Sequence, residues 1–149
     1  MSDSGRLRVA ARMRDHVLRV CSEVGLTARI LDAPGLVDAI RAGLAEATGP
    51  TLVLMADLPL LTADDLRALP SDRIALAADR RDEGVNAVVM PTPDAVEVLL
   101  GGGPSLSRYL AAAPDAEVVR RPGLAFDLDD AHDWSDLCGL EATWLSESA

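Results

Sequence analysis

The chain's 149 residues are the length of one domain, and 49% hydrophobic with 26% charged residues is a globular composition rather than a disordered one. A net charge of −10 excludes the basic face that nucleic acid or an anionic membrane surface needs. No apolar run reaches the length of a membrane span, and the opening Met1-Ser2-Asp3-Ser4-Gly5 does not read as a signal peptide, so a soluble cytoplasmic protein is expected.

Aromatic residues make up only 3%, which leaves the core to Leu, Val, Ala and Ile. Cys21 and Cys138 lie far apart in apolar surroundings and read as reduced thiols, neither a disulfide nor a metal pair. All 14 positive charges are arginine, so an anionic ligand must be held by Arg, by backbone N–H groups or through a cation.

In chain order, apolar positions at Leu7, Ala10, Ala11, Val17 and Leu18 predict an amphipathic helix over 6–24. A helix ending near Arg14 with a short strand over 16–21 also fits; the single helix is preferred. TARIL (27–31) is a strand candidate, and LVDAIRAGLAEA (36–47) is a helix opened by Pro34-Gly35. TLVLM (51–55) is a continuous apolar run, the signature of a strand buried on both faces. Thr62 caps a short helix with Asp64 and Asp65 in its first turn. RIALAA (73–78) and AVVM (87–90) are strands, with a charged loop over 79–83 and a helix expected over 94–100. Glycines at 101–103 lead into a helix over 105–113, EVVR (117–120) is a strand, and 124–126 a short one. Asp130, with Asp133 three residues on, caps a last helix reaching about Trp144; Trp134 and Trp144 are expected to pack it onto the sheet.

Strands alternating with helices predict an α/β fold with a mostly parallel, doubly wound sheet in one domain, 1–149. Such sheets bind ligands outside the C-terminal ends of their strands. The chemistry-bearing residues fall there. Asp57, in Ala56-Asp57-Leu58-Pro59 after the apolar strand, is placed to hold a hard cation through oxygen, with Pro59 stiffening its loop. In Phe126-Asp127-Leu128-Asp129, Asp127 and Asp129 alternate, so on extended backbone they share a face and repel unless a cation or proton sits between them. Gly84-Val85-Asn86 and Gly102-Gly103-Pro104-Ser105 are glycine-bearing segments, the second at a helix start whose free N–H groups suit phosphate or carboxylate. Arg108, one turn in, either assists an anion or is solvated. His16 and His132 read as structural and solvated residues. The sequence holds no phosphate-binding G-x-x-x-x-G-K motif, no dinucleotide fingerprint and no nucleophile elbow.

Taken together, LVLMADLPLLTADDL (52–66), GVNAVVMPTP (84–93), GGGPSLSRYLAAA (101–113) and PGLAFDLDDAHDW (122–134) resemble one family. It is the CofC/FbiD family of guanylyltransferases that activate a phosphorylated three-carbon acid for coenzyme F-420. The resemblance covers residues 35–134. It implies a GT-A-like nucleotidyltransferase domain that joins GTP to phosphoenolpyruvate, or to 2-phospho-L-lactate, with release of pyrophosphate. It also implies Mg²⁺ held by Asp57, Asp127 and Asp129, the first two being the catalytic pair. Gly84, Val85, Asn86, Gly102 and Ser105 would bind the acid substrate, and Arg6 and Gly35 the nucleotide.

The chain departs from the family pattern at Val85, where threonine is usual, at Tyr109 for histidine, at Gly101 for an aromatic and at Val37 for asparagine. Only Ser4-Gly5-Arg6-Leu7 resembles the family's phosphate-gripping loop, so the first strand and nucleotide loop are expected to be lacking or altered. An exposed sheet edge would then be covered by a second copy or a partner chain. A second reading, from a different class, is a weakened homologue acting as a phospho-acid-binding or partner-binding accessory module.

Overall fold

The computed structural model describes residues 3–31, 35–101 and 103–140; Pro34, Gly102 and Trp144 lie outside them. The chain opens with α1 (Asp3–Glu23), the single helix preferred above. Gly25, at φ 76°, ends it: the Gly25 N–H reaches the Ser22 carbonyl and the Leu26 N–H the Cys21 carbonyl, the paired bonds of a left-handed glycine cap. Residues 27–31 form no strand. They run as extended coil beside α2 (Leu36–Ala45), where Arg29 pairs with Glu46 and Leu31 lies against the bare Cα of Gly43. Among these residues Leu31 touches α2 while Ile30 is exposed, and none of them pairs with the sheet.

β1 (Thr51–Leu54) leads through the Asp57 loop to α3 (Ala63–Arg67), followed by β2 (Ala75–Ala78) and β3 (Val85–Met90). Against the expectation of a strand buried on both faces, β1 is half-buried, because it stands at the edge of the sheet among the described residues. Residues 94–100 are not helical. Val96, Val98 and Leu100 are buried while Glu97 is exposed, an alternation of two that fits extended chain rather than a helix. The chain closes with α4 (Ser105–Ala112), β4 (Glu117–Val119), α5 (Pro122–Ala125) and α6 (Ala131–Gly139). The strand expected at 124–126 is replaced by the single turn of α5, with Pro122 at its first position, where its ring is tolerated and its missing N–H costs nothing.

The sheet order is β1-β3-β2-β4, and it is mixed: β1, β2 and β4 run one way and β3 the other, so that of the neighbouring pairs only β2 and β4 are parallel. The expectation of a mostly parallel sheet is corrected here. The cause is the connection over 79–84, far shorter than the roughly dozen residues a parallel crossover needs. Helices do cover both faces. Val17, Val20 and Cys21 of α1 pack with Leu58, Leu61, Ala77, Ala87 and Leu124 on one face. On the other, Ile40 of α2 and Leu106 and Tyr109 of α4 pack on Leu76, Ala78, Val88 and Met90. Trp134 packs beside Met13, Phe126 and Leu137, so α6 leans on α1 rather than on the sheet. Among the described residues, no helix is long and apolar enough to cross a membrane.

Candidate active site

The end of β1 carries the site. Leu58 and Leu61 are completely buried, and these anchors draw the intervening chain down so that Asp57 is left at the rim of the sheet. The loop is then locked by α3. Thr62 Oγ1 accepts from the Asp65 N–H, and the Asp65 carboxylate accepts from the Thr62 N–H at 3.0 Å and hydroxyl at 2.6 Å, a capping box one residue beyond the loop. Asp65 is buried and takes Arg121 Nε at 3.1 Å, which ties the start of α3 to the start of α5. Gly123 lies against this pair. A Cβ there would fall 2.5 Å from the Leu60 carbonyl and closer still to Asp65, so only glycine allows the two segments to meet.

The second acidic segment follows α5. The Leu128 N–H donates to the Asp57 carbonyl at 3.1 Å, so the D-x-D stretch runs alongside the Asp57 loop. Beyond it Asp130 caps α6, accepting from the N–H groups of His132 and Asp133, and buried Asp133 reaches back to the N–H groups of Asp129 and Asp130. Arg80 pairs with Asp133 and with Asp136 and lies 4.6 Å over the Phe126 ring. Its N–H also donates to the Ala125 carbonyl at 2.9 Å.

These restraints bring together the three carboxylates that the sequence singled out. Burial raises Asp57 above the ordinary carboxylate value, its bond to its own backbone N–H pulls the other way, and the charges of Asp127 and Asp129 add to the rise. Asp127 is raised as well, by burial first and then by Asp129, Asp79 and Asp133. Asp57 Oδ1 is enclosed with no hydrogen-bond partner. Buried acceptors are nearly always satisfied, so an orphaned carboxylate oxygen near like charges is an anomaly that a cation, a proton or a bound water resolves. Among the described residues no three His, Cys, Asp or Glu converge as a ready-made cage.

The two glycine segments also meet. The Leu106 N–H in the first turn of α4 donates to the Glu83 carbonyl at 3.0 Å, which seats Ser105 beside Gly84. Gly84 is held by Asp79, whose carboxylate accepts from the N–H groups of Arg81, Glu83 and Gly84; a Cβ on Gly84 would lie 2.7 Å from Asp79 Oδ2. Arg108 does not face an anion: it braces the glycine loop, donating to the carbonyls of Gly101, Gly103 and Pro104. Val85 is buried in the apolar cluster under α4, so its side chain serves the core.

The nucleotide candidates are not brought together. Arg6 sits in the first turns of α1, in a helix rather than a loop, whereas Gly35, at φ 91°, opens α2, and the two helices pack on opposite faces of the sheet. His16 supports the Asp57 loop, its ring 2.9 Å from the Leu61 carbonyl. Sequence reasoning missed Asp79, Arg80 and Arg121 as braces; the one local signal was the charged run at 79–83, taken only as a charged loop. A separate hollow of about 500 Å³, lined by Arg80, Phe126, Ser135, Asp136 and Leu140, lies against α6 and includes none of the site carboxylates.

Fold and site together define an α/β domain in which the carboxylates singled out by the sequence, Asp57, Asp127 and Asp129, lie on adjoining loops past a strand end. No protein-family model matches the chain. It is similar to three proteins named phosphoenolpyruvate guanylyltransferase. The one from Sphaerobacter thermophilus is 38% identical over 136 residues, covering 83% of this chain and 65% of that protein. The one from Chloroflexus aggregans is 37% identical, covering 60% of this chain and 48% of the relative. The one from Rubrobacter xylanophilus is 35% identical, with 69% and 53% covered. The chain thus spans about half to two-thirds of the length of these relatives. Over the part it spans, the chain is similar to these phosphoenolpyruvate guanylyltransferases, the family its motifs resemble.

Proposed function

We propose that the chain carries the metal and acid-substrate side of a guanylyltransferase site on a GT-A-like domain. GTP and phosphoenolpyruvate, or 2-phospho-L-lactate, are its substrates, in coenzyme F-420 biosynthesis. The observation that carries the reading is the orphaned Oδ1 of Asp57 beside the charges of Asp127 and Asp129. In the reaction a phosphate oxygen of the acid substrate forms a bond to the α-phosphorus of GTP. The bond from that phosphorus to the bridging oxygen breaks, and pyrophosphate leaves with the electron pair.

Transfers of this kind need positioning and charge neutralisation more than a proton relay. Bound Mg²⁺ supplies the neutralisation. Asp57 and Asp127 would hold it, with Asp129 behind, and the capping boxes at Thr62 and Asp130 fasten the loops that carry them. Ser105, at the start of α4 beside the Gly84 segment, receives the acid substrate, and Arg108 keeps the glycine loop in shape for it; the N–H groups of Glu83, Gly84 and Leu106 are already taken by Asp79 and the Glu83 carbonyl. Arg6 and Gly35 belong to helices on opposite faces of the sheet, so they do not serve one nucleotide site together.

A partner reading and a compartment reading accompany this one. β1 stands at the edge of the sheet among the described residues and is half-buried, so its free side accepts a further strand, from a second copy or a partner chain. Cys21 and Cys138 are free thiols, which suits a reducing cytoplasm.

The test is pyrophosphate release from the purified chain with GTP, Mg²⁺ and phosphoenolpyruvate. Release that requires all three supports the reading. No release, together with no GTP binding by calorimetry, sinks it and favours an accessory phospho-acid-binding module.

A further inference from the structure

Asn86 was expected to touch substrate, and its surroundings assign it other work. In β3 the register against β2 shifts: Ala77 faces Ala87 and Ala78 faces Val85, which leaves Asn86 as the extra residue of a β-bulge. In a regular strand Val85 and Asn86 would point to opposite faces, and Ala87 would return to the side of Val85. The bulge breaks that rule. Val85 joins Val88 and Met90 under α4, while Ala87 joins the cluster of Leu58 and Leu124 on the opposite face. Asn86, buried, is turned to the Leu124 side as well, where its Nδ2 donates to the Leu124 carbonyl at 3.0 Å. Bulges commonly re-aim a side chain next to a site in this way.

The same residue holds the other loop through its backbone. Its carbonyl accepts the Met55 N–H at 2.9 Å, two residues before Asp57, while its side chain grips Leu124, three residues before Asp127. We infer that Asn86 is a positioning residue that sets the spacing between the two carboxylate-bearing loops and so tunes the cation site, without contacting substrate. This rests on the reading of Asp57 and Asp127 as the cation ligands. Groups that orient metal ligands from behind typically change metal affinity or activity 10- to 100-fold when removed.

The test uses the full chain with Asn86→Ala and with Asn86→Leu, the latter close in shape, neutral and without a donor, so that a packing defect in one does not decide the matter. Thermal melts are titrated with Mg²⁺ and with Mn²⁺, and steady-state kinetics are run where turnover is seen. Both variants are expected to raise the metal concentration for half-maximal stabilisation about tenfold. They should lower kcat at saturating metal and leave KM for phosphoenolpyruvate within about twofold. An unchanged metal midpoint with a raised KM means a direct substrate contact and overturns the assignment. A lower melting temperature with metal midpoint and kinetics intact means a purely structural role and overturns it too. The metal midpoint is read without turnover. A wild-type chain that is stabilised by Mg²⁺ yet releases no pyrophosphate therefore fails the guanylyltransferase reading, while the shift in the variants still supports Asn86. A wild-type chain that no divalent cation stabilises overturns the Asn86 assignment.

Discussion

Asp57→Asn is expected to make the metal-free protein more stable while removing its response to Mg²⁺. Asp57 Oδ1 has no hydrogen-bond partner, and the charges of Asp127 and Asp129 act on the same group. A buried charged acceptor left in this state costs about 1–3 kcal/mol. The neutral amide removes the ionic part, so a gain of about 1–2 kcal/mol follows, which for a domain of this size raises Tm by roughly 3–6 °C.

The pH dependence carries a sign. Asp57 is held above the ordinary carboxylate value, so the folded state binds its proton more tightly than the unfolded chain does. The stability this contributes is complete below about pH 3.9, the unfolded value, and is lost as pH rises through the raised folded value. The variant's advantage should therefore be full at pH 7 and shrink as pH falls towards 4. Adding Mg²⁺ at about ten times its Kd should stabilise the wild type by about 1.4 kcal/mol and the variant by nothing measurable. Calorimetric melts at pH 7 and pH 4.5, with and without Mg²⁺, check all three. If the variant melts below the wild type at pH 7 without metal, Asp57 is satisfied in solution and the reasoning fails.

Gly123→Ala forces a Cβ against the Leu60 carbonyl and Asp65, and should cost about 2–3 kcal/mol by chemical denaturation, with the Asp57 loop displaced; a near-neutral effect would mean that the two segments are not in contact. Tyr109→Phe removes the hydroxyl that accepts the Leu99 N–H at 3.0 Å and should destabilise by about 1–2 kcal/mol, without altering metal-induced stabilisation. Val85→Thr, which restores the residue usual in the family, buries a hydroxyl in the cluster under α4 and should lower stability by about 1 kcal/mol or more. A lower KM for phosphoenolpyruvate in that variant would show that the residue 85 side chain reaches the substrate instead.

Much of this was legible because certain residues have few alternatives. The run at 51–54 could hardly be other than a strand, and Thr62 and Asp130 sit before acids at the spacing a helix cap demands. Strand direction was less legible because hydrophobic pattern carries no arrow. The information lay in the length of the 79–84 connection, which forbids a crossover. Ala95, Val96, Val98, Leu99 and Leu100 match a helical stripe and an alternating strand equally well, and packing under α2 and α4 decided for extended chain. At the site, the order of Asp57 and the D-x-D pair along the chain foretold their meeting. The role of Asn86 stayed hidden, since a bulge moves a side chain to the other face without altering the residue pattern that precedes or follows it.

The two acidic loops end in the same device: a capping box whose third residue is a buried aspartate, Asp65 in one and Asp133 in the other, each clasped by an arginine from elsewhere in the chain, Arg121 and Arg80. Each clasp fastens its loop just past the residues that matter. What is left free to adjust at each site is a short arc of backbone, pinned at one end by a strand or a helical turn and at the other by a helix start. Such arcs deform like stiff springs rather than opening like flaps. A ligand arriving here would be met by adjustments of side-chain torsion and small backbone tilts, and the entropy lost on binding would be correspondingly small.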